Sequence, residues 1–268
     1  QFIVLFLVLG ILKLQQSAFF YLGNKSYAEE EKTSHPINNF FIDNKFREKK
    51  LLVLGDSHAG HFWGMLEKSK ERNTRNLIMH IRGKGFHEKV PSSNQDYDHF
   101  IGDVFKYYFK TMNQNDIVFL SVDGRLEPVR SSVKKAFIDV IDLSNKKNIK
   151  VVIANQTPYL ENKVKRKSYL LCEDNIFRKF QDPERCISTK NREELKIKAK
   201  DLNNFLFNLS RKYSNVYIFD AFKVLCPETK CKNIHKGNWI YSDGDHLTDY
   251  GSKMLTPEFD NLIKKIAR

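Results

Sequence analysis

Five stretches of the chain, at 50–58, 76–81, 116–122, 150–158 and 216–221, are built on a short run of consecutive apolar residues. Each is short and closes on a turn or helix signal, which reads as a strand buried on both faces. Between them the apolar positions return every three or four residues. Phe62, Met65 and Leu66 mark a helix over 59–72. Ile101, Val104, Phe105, Tyr108 and Met112 mark another over 98–112. Val133, Phe137, Val140 and Ile141 follow a Ser cap over 131–148. Leu195, Leu202, Phe205, Leu206, Leu209 and Tyr213 mark 193–213, and the close at 246–266 is also helical. Strands that alternate with helices and lack an in/out pattern predict an α/β domain, with a five-stranded parallel sheet covered on both faces. Sites in such sheets form beyond the carboxyl ends of the strands, so the chemistry is sought in those loops.

Composition narrows the class. Of 268 residues, 41% are hydrophobic and 29% charged, enough for a packed core and against wholesale disorder. Twelve Gly and seven Pro exclude collagen-like repeats. Lys and Arg number 45 against 32 acids, a formal charge of +13. The lysines are scattered, with no aromatic-interleaved basic stripe, so nucleic acid is not expected as a partner; an anionic glycan or lipid headgroups would attract the same charge.

The N-terminal part reads differently. Residues 2–12 are uncharged and mostly apolar and precede Lys13, whereas a bilayer span needs roughly 20 such residues. Residues 1–22 read as the remnant of a transmembrane helix; a signal peptide is the rival, without its usual basic start. Residues 23–48 are polar and read as a linker or extension, and 49–268 as the domain proper.

Two loops carry the candidate chemistry. The first strand delivers "GDSHAG" (55–60), which places Ser57 at a strand-to-helix turn with Gly55 permitting the bend. A hydroxyl there lies near free helix N–H groups, which stabilise a developing oxyanion. The second loop is "YSDGDHLTDYG" (241–251), with Asp243 and His246 spaced three apart. A carboxylate on Nδ1 would leave Nε2 of His246 to take a proton from Ser57. Asp245 is expected to point away. Either loop alone also reads blandly, as helix caps.

Together, GDS after the first strand and DxxH after the last resemble the SGNH (GDSL-type) hydrolase family. "LVLGDSHAGHFWGML", "LCPETKC" and "YSDGDHLTDYGSKML" resemble more narrowly the SGNH domain fused behind membrane acyltransferase-3 domains. The resemblance implies a flavodoxin-like three-layer fold, with Ser57 as nucleophile, His246 as base and Asp243 as its orienter. It implies an O-acyltransferase module, probed against two alternatives: an esterase, and a silent glycan-binding domain. Its partners would be a glycan acceptor and an acyl donor supplied by a membrane portion upstream, with this domain on the extracytoplasmic side. No cofactor and no metal are expected. The family's oxyanion glycine has two candidates here, Gly83 and Gly85. The usual Asn block is replaced by "SVDGRL" (121–126), where Asp123, Gly124 or Arg125 falls, and Arg125 is the candidate donor.

The other polar residues have plainer expectations. Four cysteines without a CxxC do not resemble a zinc site; Cys226–Cys231 and Cys172–Cys186 are the simplest disulfides of three pairings. His58 and His61 lie three apart and suggest a metal pair, but no third ligand is near in sequence, so packing or a polar rim is expected. His80 and His87 read as surface residues, and Trp63 and Trp239 as packing residues, with an acceptor-site role the alternative for Trp239.

Overall fold

The structure, a computed structural model, describes residues 40–42, 49–73, 75–81, 97–123, 131–160, 187–242 and 244–267. Its centre is a six-stranded sheet made of β1 (Phe40–Ile42), β2 (Lys50–Gly55), β3 (Asn76–Ile81), β4 (Ile117–Ser121), β5 (Lys150–Ala154) and, after a short strand β6 (Thr189–Asn191) outside it, β7 (Val216–Phe219). The order is β1-β3-β2-β4-β5-β7. Five of these strands are parallel, and β1 runs antiparallel against β3 at one edge. Without β1, the order is the doubly wound one of flavodoxin-like folds, with its switch point between β2 and β4. β1 lies within the segment read as a linker or extension, so part of that segment belongs to the sheet.

The continuous apolar runs have a direct explanation. Leu51, Val53, Leu77 and Met79 enter a core on one face of the sheet. Their neighbours Leu52, Leu54 and Ile78 enter a second core on the other face. A strand with both faces covered has no polar side to show. The first core is closed by helix 63–72 and by the C-terminal helix 256–266, through Phe259, Ile263 and Ile266. The second is closed by helices 97–109, 131–146 and 200–212.

Several single helices of the sequence reading are broken in two. Ser57–Gly60 (α1) and Trp63–Arg72 (α2) replace the helix over 59–72. Arg192–Lys198 and Lys200–Lys212 meet at Ala199. Asp249–Met254 (α8) and Thr256–Ile266 (α9) meet at Leu255, with Pro257 in the first turn of α9. Both junction residues are buried, so the apolar pattern runs through each break and hides it. Two small antiparallel ribbons, Thr189–Asn191 with Lys230–Lys232 and Ile234–His235 with Asn238–Trp239, were not visible as strands. Cys231, in the first of these ribbons, forms a disulfide with Cys226. Cys172 and Cys186 lie outside the described residues.

The candidate active site

The turn after β2 is built around Gly55 and Asp56. Gly55 has φ +155°, and a Cβ there would lie 1.8 Å from the Ser121 carbonyl oxygen of β4. Only glycine allows this approach. Asp56 caps α1: one carboxylate oxygen accepts from the His58 N–H at 2.8 Å and the other from the Asp123 N–H at 3.0 Å. The turn is thereby fastened to the loop after β4. Ser57 follows, exposed, at the carboxyl end of the sheet.

The segment 241–248 forms the opposite wall. Tyr241 bridges Leu247, and the His246 carbonyl accepts from the Ser242 N–H at 2.8 Å. The Gly244 carbonyl accepts from the Leu160 N–H at 2.9 Å. Thr248 caps α8 by accepting from the Gly251 N–H at 3.0 Å. Ser252 of α8 accepts from the Met65 N–H of α2 at 3.0 Å. These ties dock the histidine-bearing segment on the serine-bearing one. As a result His246 Nε2 and Ser57 Oγ share a 2.8 Å hydrogen bond across 189 residues of sequence.

Asp245 does not point away, contrary to expectation. Its Oδ1 is 3.2 Å from Nδ1 of His246, and its Oδ2 is 3.3 Å from Nε2 of His58. The tight turn closed by Ser242 and His246 directs Asp245 inward. Asp243, Gly83, Gly85 and Arg125 lie outside the described residues.

His58 is buried, and its surroundings are acidic. Besides Asp245, its ring nitrogens lie 3.5 Å from Asp56 and 4.0 Å from Asp123. Burial pushes its pKa down, but contact with Asp245 and then Asp56, with the charges of Asp56 and Asp123, raises it to about 9. These carboxylates favour the charged form of the His58 ring, which is buried and not at a rim. His61 stacks edge-on to it at 5.2 Å and is also buried. His58, Asp245 and His246 present ligand atoms within 4.8 Å of one another, the one metal-like grouping among the described residues. His61 is not part of it. The same atoms are engaged with one another and with Ser57.

His80 also departs from expectation. It is fully buried within β3 and shares a 2.7 Å hydrogen bond with the Tyr108 hydroxyl. Burial lowers its pKa to about 4. Trp239 is buried, in keeping with a packing role. His87 lies outside the described residues.

A doubly wound α/β domain that joins a serine after its first parallel strand to a histidine before its last helices belongs to a known structural class of acyl-handling hydrolases. The family model described as "SGNH domain (fused to AT3 domains)" matches residues 27–261, and the chain belongs to that family. No curated protein matches the chain. Among solved structures, a candidate acylhydrolase from Bacteroides fragilis shares 12% identity, with a TM-score of 0.47 over 91% of this chain and 96% of its own. A GDSL-like lipase from Bacteroides thetaiotaomicron shares 12% identity, with a TM-score of 0.44 over 90% and 97%. A catalytic mutant of an acetylxylan esterase from Geobacillus stearothermophilus shares 11% identity, with a TM-score of 0.40 over 81% and 94%. Among the described residues no helix is long and apolar enough to cross a membrane.

Proposed function

We propose that the chain is the SGNH module of an O-acyltransferase, which carries an acyl group on Ser57 and passes it to a glycan hydroxyl. The observation that carries this reading is the 2.8 Å hydrogen bond between Ser57 Oγ and His246 Nε2. In the first half-reaction Ser57 Oγ attacks the acyl carbonyl while its proton passes to Nε2 of His246. The tetrahedral intermediate collapses, and His246 returns the proton to the departing group. In the second, an acceptor hydroxyl gives its proton to His246 as its oxygen attacks the acyl-serine carbonyl, and the new ester departs as His246 returns the proton to Ser57 Oγ. Asp245 Oδ1, at 3.2 Å from Nδ1, orients the imidazole and favours the tautomer with Nε2 free to accept. The family pattern gives this role to Asp243 instead, and Gly83, Gly85 and Arg125 are the proposed oxyanion donors.

The family's fusion to AT3 domains supports transfer, because such a portion would deliver the acyl group from a membrane to a domain on its extracytoplasmic side. A glycan as acceptor is the reading taken from the same resemblance. The exposure of Ser57 favours a second reading, hydrolysis, since water reaches the acyl-serine unless an acceptor excludes it. A chromogenic acetyl ester, offered to the full chain with and without an oligosaccharide, separates the two. Acetylated oligosaccharide is the expected product. Ester consumed with the acceptor never acylated defeats the transferase reading and leaves the esterase.

A further inference from the structure

We propose that His58 is a positioning residue for the Ser57–His246 pair: as an imidazolium it takes one oxygen of Asp245, leaves the other on His246 Nδ1, and keeps the His246 ring neutral by standing beside it. The inference rests on the reading of Ser57 and His246 given above and extends it to a residue that touches neither substrate nor Ser57's proton.

The geometry is specific. His58 sits 3% exposed beneath the site. It is met by Asp56 from its own turn at 3.5 Å, by Asp123 from the end of β4 at 4.0 Å, and by Asp245 from the histidine segment at 3.3 Å. Its ring centroid is 5.2 Å from that of His61 and 5.0 Å from that of His246. Three carboxylates from three segments thus converge on one ring. Carboxylates this close to His246 favour its charged form, and an imidazole already protonated cannot take the serine's proton. A positive charge at His58 opposes that field on the side facing His246. It also fixes which oxygen of Asp245 is left for Nδ1. Its upward-shifted pKa, about 9, agrees with a charge held across the neutral range.

Nuclear magnetic resonance of the full chain, with imidazole nitrogens labelled, tests this. In the unaltered protein, both His58 nitrogens are expected to carry protons through pH 8. A neutral His58 tautomer at pH 7 overturns the proposal, whether or not any variant folds. In His58→Gln a polar amide faces Asp245 but brings no charge. The His246 titration midpoint, and with it the acidic limb of kcat/KM for an acetyl ester, is expected to rise by about one pH unit. A purely structural His58 would instead lower stability or rate at every pH with the midpoint unmoved, and that result also overturns the proposal. The two readings fail separately. If a serine-directed phosphonate never labels Ser57, the acyl-serine function falls, while the His246 midpoint still reports the effect of His58. If Ser57 is labelled and the midpoint stays, only the role of His58 falls.

Discussion

Replacing Gly55 with Ala tests how the nucleophile is held. The added methyl would lie 1.8 Å from the Ser121 carbonyl oxygen and 2.8 Å from the Ala59 Cβ. A tolerable carbon–oxygen contact is about 3.3 Å or more, so something must move by roughly 1.5 Å. The obstacle is backbone: Gly55 pairs with Ser121 in the β2–β4 ladder, at the centre of the sheet. The residue also sits at φ +155°, where an L side chain is strained. Overpacking costs about 1–3 kcal/mol, and strained backbone adds about 1–3 kcal/mol. A loss of about 4 kcal/mol is therefore expected, a large share of the ~5–15 kcal/mol that holds a typical domain together. In urea, followed by circular dichroism, the midpoint should fall by about 1 M or more. Phosphonate labelling of Ser57 should slow even in dilute urea-free buffer, because relief of the clash moves the turn that carries the hydroxyl. A Gly55→Ala protein that unfolds within about 0.5 kcal/mol of the parent and labels at the parent rate would refute this account of the turn.

Ser57→Ala should abolish phosphonate labelling and lower ester turnover by roughly 10³-fold or more, with an unchanged urea midpoint, as its side chain is exposed. Asp260 is buried in α9 and accepts from Ser69, Arg72 and Asn73 at the end of α2. Asp260→Ala removes the buried acceptor of Ser69 and the ion-pair partner of Arg72, and chemical denaturation should show a loss of about 2–4 kcal/mol. Reducing the Cys226–Cys231 bridge opens a loop with a separation of five residues, for which the chain-entropy account gives about 2 kcal/mol; thermal melts with and without reductant measure it. His80 has a folded pKa of about 4, below its usual 6.5, so its neutral form is favoured by folding. Its contribution is complete above pH 6.5 and is lost as pH falls toward 4. In His80→Gln, stability measured against pH should lose that part of its acid slope.

The parallel sheet was legible because each strand is covered twice, which leaves an unbroken apolar signature that few other folds require. The same rule, applied strictly, would also have buried His80, because it lies inside the run from Asn76 to Ile81. The serine and histidine loops were legible from their motifs and from their places after the first strand and before the last helices. Strand β1 was not, because three residues at a sheet edge carry too little periodicity to register. The acidic surroundings of His58 were not either. Residues 56, 123 and 245 are far apart in the chain, and only the fold collects them. The inward turn of Asp245 depends on backbone hydrogen bonds around Ser242 and His246 that no spacing rule encodes.

The hydrogen bond that joins Ser57 to His246 spans 189 positions. Of the two, the serine is synthesised first, and its partner follows 189 residues later. A chain that stops short of residue 246 carries the serine without the imidazole that would take its proton. The pair comes into being only when the segment that carries His246 docks beside α2, so folding of the C-terminal part of the domain is what assembles it.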